Sequence, residues 1–167
     1  FDNLDHEWLM KFLEHEIADK NFLRYIKRFL KAGIMEDMKF HESDKGAPQG
    51  GLISPVCGNV YLHYVLDMWF DKVVKKQCKG EAHIVRYADD FICMFQYENE
   101  ANAFYEALEA RLKKFNLELS KDKSKIIRFG RFAKQNSVDG KTEAFDFLGF
   151  THINGETRNG KYTVVHR

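Results

Sequence analysis

Cysteines are too few and too scattered to build a disulfide or zinc framework. Cys57, Cys78 and Cys93 are odd in number, show no Cys-x-x-Cys spacing, and two of them sit in apolar segments. That pattern predicts reduced thiols in an intracellular, cytoplasmic protein. No apolar run approaches the length of a membrane span and no charged-then-apolar leader opens the chain, so no membrane partner is expected. Net charge is almost absent as well: Lys+Arg 26 against Asp+Glu 25 leave +1. Bulk charge therefore neither demands nor excludes a nucleic-acid partner, and the question moves to local features. Internal repeats and low-complexity tracts are missing. So is an initiator methionine: the chain begins at Phe1, inside a stretch that already reads as ordered, and is expected to be a fragment of something longer.

What is present suits a folded domain. The chain has 167 residues, 44% hydrophobic and 14% aromatic, enough for one domain with a real core. Its organising stretch is His83-Ile84-Val85-Arg86-Tyr87-Ala88-Asp89-Asp90-Phe91-Ile92-Cys93-Met94-Phe95. Two strand-length runs rich in β-branched and aromatic residues meet at a polar junction, which predicts an antiparallel hairpin, 82–87 with 91–96, carrying Asp89 and Asp90 at its tip. Adjacent carboxylates repel, and a site that keeps both ionised needs a positive partner such as Mg²⁺. Taken alone, Ala-Asp-Asp is equally a polar turn.

Around that hairpin the periodicity is mainly helical. Asp5 caps a helix with Leu9, Phe12, Leu13 and Ile17 on one face, and Asp19 caps a second with Phe22, Ile26, Phe29 and Leu30. Residues 34–40 suggest a strand, and 41–51 form a glycine-rich loop. Ser54 and Pro55, at N-cap and N1, start a long helix over 56–76 with Val60, Tyr64 and Met68 in line. Leu62, Val65, Leu66 and Trp69 widen that stripe so far that much of the helix is expected to be buried. Residues 100–115 form the clearest amphipathic helix. Strands are expected at 117–119, 126–129, 145–153 and 161–165. Antiparallel strands backed by helices make an α+β fold.

Several rare strings in this order resemble the motifs of reverse transcriptases, most closely those encoded by group II introns. They are Phe1-Asp2-Asn3-Leu4-Asp5-His6, the loop Gly46-Ala47-Pro48-Gln49-Gly50-Gly51-Leu52-Ile53-Ser54-Pro55, Tyr87-Ala88-Asp89-Asp90, the basic turn 120–125, and Phe145-Asp146-Phe147-Leu148-Gly149-Phe150. The resemblance covers essentially the whole chain and implies a polymerase palm, residues 1–167. It implies two Mg²⁺ ions for in-line phosphoryl transfer, with Asp89 and Asp90 as metal ligands. It places Pro48, Gln49, Gly50 and Tyr87 by the incoming dNTP, Phe1 under its sugar, and Lys123 near the triphosphate as a charge-steadying or proton-donating ammonium. The implied partners are an RNA template and a DNA or RNA primer, with intron RNA left open.

The departure from the family pattern is that a third metal-binding aspartate is expected five positions before Phe1, outside the chain. The fingers and thumb are expected outside it too, so residues 1–167 are expected not to polymerise alone. The resemblance leaves a second function open, an RNA-binding splicing factor (maturase) with polymerisation secondary or lost, and more distantly a relative attached to a defence system.

Overall fold

The structure, a computed structural model, describes residues 4–31, 34–36, 39–41, 53–135 and 141–167. The chain divides into two compact units, Phe1–Ser120 and Lys121–Arg167.

In the first unit, α1 (His6–Glu16) starts at the expected cap. The Asp5 carboxylate accepts from the Glu7 and Trp8 amides at 2.9 and 3.1 Å, satisfying two of the N–H groups that any helix start leaves unpaired. Burial pushes the Asp5 carboxyl up, but hydrogen bonds from Trp8, Asn116 and Glu7 outweigh it and hold the group below its ordinary range. α2 (Lys20–Lys31) is capped in the same way by Asp19, which accepts from Asn21 and Phe22. Its buried face is Leu23, Ile26 and Leu30, whereas Phe22 and Phe29, expected in the core, are 52% and 61% exposed. The apolar arc of this helix is wider than the surface it packs on, and the aromatics fall on the uncovered part.

The strand expected over 34–40 is two short strands, β1 (Ile34–Glu36) and β2 (Lys39–His41), paired antiparallel with Ile34 opposite His41. α3 (Ser54–Leu62) has Ile53, not Ser54, at the N-cap position. Ile53 already has helical dihedrals, φ −85° and ψ −18°, and its carbonyl accepts from the Cys57 amide. The same helix runs on through two π-helical turns, His63–Asp67 and Phe70–Val74, into α4 (Lys75–Gln77). There Met68 N–H donates to His63 O and Lys75 N–H to Phe70 O, five residues back. Widened turns shift the face that follows them. The buried positions are Tyr61, Val65, Leu66, Phe70 and Val74; of the expected stripe Val65 and Leu66 are buried, Val60, Leu62, Tyr64 and Trp69 are half-buried, and Met68 is exposed.

β3 (Ala82–Tyr87) and β4 (Asp90–Phe95) form the expected hairpin. Its second strand lies one residue earlier than the expected 91–96, so that Asp90 pairs in the strand and only Asp89 of the two aspartates is in the loop. α5 (Glu98–Lys114) packs Phe104, Leu108 and Leu112 into the same core. Phe104 touches Phe70 and Phe95 with ring centroids 5.6 and 5.1 Å apart, the tilted and edge-on contacts that aromatic quadrupoles favour. Arg111 on α5 donates to the Val65 and Tyr64 carbonyls within the first π-helical turn, at 3.0 and 3.3 Å. The Tyr61 hydroxyl donates to the Phe115 carbonyl at 2.7 Å. Residues 117–119 are not a strand, although Leu117 and Leu119 still pack on the core.

In the second unit β5 (Ala144–Phe147), β6 (Phe150–Glu156) and β7 (Tyr162–His166) form an antiparallel sheet in that order. The single strand expected over 145–153 is broken after Phe147 because Leu148 and Gly149 both have positive φ, +52° and +81°. Positive φ at both loop residues is the pattern of a type I′ turn. Residues 126–129 are irregular, with Phe129 packed edge-on against Phe145 at 4.9 Å. Among the described residues no helix is long and apolar enough to cross a membrane.

Candidate functional site

The β3–β4 pairing sets Tyr87 opposite Asp90 and leaves Ala88 and Asp89 as a two-residue loop. Ala88 has φ +53°, and of the two loop residues only it is left-handed. Type II′ turns have this φ pattern, with glycine usual at the first position. An alanine there carries about 1–2 kcal/mol of backbone strain, which the surroundings must hold in place.

Arg86 holds it. Alternation along β3 turns Ala82, Ile84 and Arg86 toward the core, opposite Phe95, Cys93 and Phe91. A cation at an inward position needs partners, and Arg86 has three. Its Nε and Nη2 donate to the two oxygens of Asp67 at 2.8 and 2.6 Å. Its Nη1 donates to Asn59 Oδ1 at 2.9 Å and to the carbonyl of Ala88 at 2.8 Å. The Arg86 side chain is 12% exposed and that of Asp67 27%. The strained loop is thereby tied through one side chain to the long 54–77 helix. Beside this clamp, burial first and the Asp67 charge second push the Cys93 thiol up to about 12.

Asp89 and Asp90 are both exposed. Asp90 shares the outer face of the hairpin with Tyr87, 67% exposed, and Val85, 50% exposed. The tip therefore offers carboxylates at the end of a partly apolar ladder. Among the described residues no cation pairs with either aspartate. Two exposed, unneutralised carboxylates supply the hard oxygen donors that Mg²⁺ takes. Among the described residues no third acidic, His or Cys side chain joins them, so further ligands would have to come from elsewhere.

Of the residues picked out in the sequence, the structure brings Tyr87, Asp89 and Asp90 together. Lys123 lies in the exposed turn 121–123 of the second unit. Phe1, Pro48, Gln49 and Gly50 fall outside the described residues. Sequence reasoning missed Arg86, Asp67 and Asn59. The available signal was the period-two pattern of β3, which sets Arg86 on the buried side and so requires an acceptor for it.

The sequence profile of the reverse transcriptase (RNA-dependent DNA polymerase) family matches residues 1–152. The chain is 29% identical over 155 residues to the group II intron-encoded protein LtrA of Lactococcus lactis subsp. cremoris, covering 86% of this chain and 26% of that protein. It is 30% identical over 195 aligned positions to protein YkfC of Escherichia coli, covering 99% of this chain and 47% of that one. A telomerase reverse transcriptase of Takifugu rubripes is 24% identical over 127 residues, 75% of this chain and 11% of its own length. The chain thus spans half or less of the length of these relatives.

Proposed function

The chain belongs to the reverse transcriptase family and is similar to its group II intron-encoded members; from that premise we propose that it is the palm of an RNA-directed DNA polymerase. The reaction is transfer of a deoxynucleotide from its triphosphate to a primer 3′-hydroxyl on an RNA template. The observation that carries the reading is the Tyr87–Asp90 tip. Its two exposed carboxylates stand on a loop whose Ala88 carbonyl is held by Arg86, a mostly buried side chain that makes three further hydrogen bonds to the 54–77 helix. A surface turn has no need of such support, whereas catalytic ligands must be held to within a fraction of an ångström.

Asp89 and Asp90 would hold Mg²⁺. Bound there, the ions would neutralise phosphate charge and make the 3′-hydroxyl a better nucleophile. The chain's own residues do the rest. Arg86 fixes the carbonyl of Ala88 and so the direction of both carboxylates. Tyr87 and Val85 offer an apolar surface beside them for sugar or base. Lys123 would meet the triphosphate and steady or protonate the departing pyrophosphate. Pro48, Gln49 and Gly50 would line the nucleotide sugar, and the Phe1 ring would exclude a 2′-hydroxyl by bulk.

The test is single-turnover deoxynucleotide incorporation by the longest natural form of the protein that carries residues 1–167, with RNA affinity measured in parallel. Asp89→Ala should abolish incorporation and leave RNA binding nearly unchanged, since it removes a metal ligand and no phosphate contact. Incorporation surviving that substitution would reduce the tip to a turn.

A further inference from the structure

α2 is strongly basic in a chain that is nearly neutral. Its twelve residues carry Lys20, Arg24, Lys27, Arg28 and Lys31 and no acid. The nearest carboxylate, Asp19, is committed to capping the helix. Among the described residues none of the five cations is in an ion pair. Among the described residues Glu14 of α1 is the one carboxylate on the groove wall it shares with Lys20, Arg24 and Lys27.

The same helix exposes three aromatics. Leu23, Ile26 and Leu30 fill the core, while Phe22, Tyr25 and Phe29 are 52%, 52% and 61% exposed. They recur at i, i+3 and i+7, so they form one ridge about 10 Å long at 1.5 Å rise per residue. Single exposed aromatics are ordinary, but three in line rarely stay bare on a soluble surface. The ridge is bordered by guanidiniums: Arg24 and Arg28 lie 5.8 and 5.9 Å from the centre of the Tyr25 ring, within cation–π range.

We propose that this face of α2 binds single-stranded RNA, with phosphates on Arg24, Arg28 and the lysines and unpaired bases stacked along Phe22, Tyr25 and Phe29. The proposal rests on the reverse transcriptase reading for the class of partner and is independent of the aspartate tip. Charge complementarity selects a polyanion. The aromatic ridge selects single strands, because a duplex keeps the faces of its bases hidden. A protein partner fits less well, since lysine is depleted in the desolvated centres of protein interfaces. An anionic bilayer also fits less well, because the Leu and Ile face that would enter it is already spent on the core, and arginines lie beside the remaining ring.

Fluorescence anisotropy of the chain with a labelled single-stranded RNA of about 20 nucleotides, titrated across a salt series, tests this. Arg24→Gln/Arg28→Gln should lower affinity and reduce the slope of log K against log salt by about 1.4, at about 0.7 per phosphate contact. Tyr25→Ala/Phe29→Ala should lower affinity about fivefold or more at unchanged slope, since stacking is worth at least about 1 kcal/mol per base. All four positions are exposed, so circular dichroism should be unchanged. Lys75→Gln, a cation on another element, should leave binding as it was. An unchanged slope in the double arginine variant overturns the proposal, as does an equal loss in Lys75→Gln. Binding to anionic phospholipid vesicles in place of RNA also overturns it. Loss of polymerisation in Asp89→Ala, by contrast, bears only on the tip.

Discussion

Replacing Arg86 by alanine removes three hydrogen bonds that join the hairpin to the 54–77 helix and a fourth to the Ala88 carbonyl at its tip. It also strands the Asp67 carboxylate, which is 27% exposed and, among the described residues, has one other charged partner, His63 at 3.6 Å. Breaking a buried ion pair from one side costs about 3–5 kcal/mol. Partial exposure of Asp67 lets water recover some of that, so we place the loss at about 2–4 kcal/mol. This is a large part of a stability of about 5–15 kcal/mol. Arg86→Lys restores the charge without the planar fork and should recover less than half of the loss. In Arg86→Ala/Asp67→Ala no carboxylate is left unpaired, so the double variant should cost well under the sum of the singles, with coupling of about 1–3 kcal/mol. Urea unfolding followed by tryptophan fluorescence reads the relevant region, because Trp8 and Trp69 both lie in the first unit. With a urea slope of about 2 kcal/mol/M, Arg86→Ala should move the midpoint down by about 1–2 M. A shift below about 0.3 M, or strictly additive single and double variants, would refute the clamp.

Asp5→Ala should cost about 1 kcal/mol at pH 7 by removing the α1 cap. Because the folded carboxyl is held below its ordinary value, that contribution is present above about pH 4 and is lost as pH falls through the folded pKa. Wild type and variant should therefore converge in stability near pH 2, which acid titrations of thermal unfolding would check. All three thiols are free and are pushed up, by burial first in each case. Native alkylation at pH 8 should be slow at each, and slowest at Cys93, until urea exposes them, as mass spectrometry of the labelled peptides would read. Leu148 is 45% exposed at φ +52°. Leu148→Asn should raise stability by about 0.5–1 kcal/mol, since asparagine tolerates the left-handed region better; a thermal melt below wild type would argue against the turn assignment.

Much of the fold was legible where its causes are local. The α1 cap needs only Asp5 and the two amides above it, and the hairpin needs only alternation and a polar junction. What could not be read depends on distant packing. The face made by Phe22, Leu23, Ile26, Phe29 and Leu30 is apolar throughout, and nothing within it says which part meets the core; the neighbours chose Leu23, Ile26 and Leu30. In the long helix the four-residue stripe Val60, Tyr64 and Met68, widened by Leu62, Val65, Leu66 and Trp69, took in Val65 and Leu66 but missed Tyr61, Phe70 and Val74. The π-helical turns substitute five-residue steps, Tyr61 to Leu66 and Val65 to Phe70, which have no signature in composition. Gly149 marked the break between β5 and β6, but the aromatic run Phe145 to Phe150 concealed it. At the candidate site the aspartates were legible as a pair. Their support was not, because Asp67 and Asn59 lie 19 and 27 residues from Arg86 in sequence.

The central claim is that a divalent ion sits on Asp89 and Asp90, and iron-directed cleavage tests it most directly. Fe²⁺ in place of Mg²⁺, with ascorbate and peroxide, generates radicals that cut the backbone beside the ion. In the longest natural form of the protein that carries residues 1–167, the reading predicts cuts clustered at 86–92. They should vanish in Asp89→Ala/Asp90→Ala and be competed away by excess Mg²⁺. Cuts confined to other segments, or cuts at the tip that persist in the double variant, would contradict it.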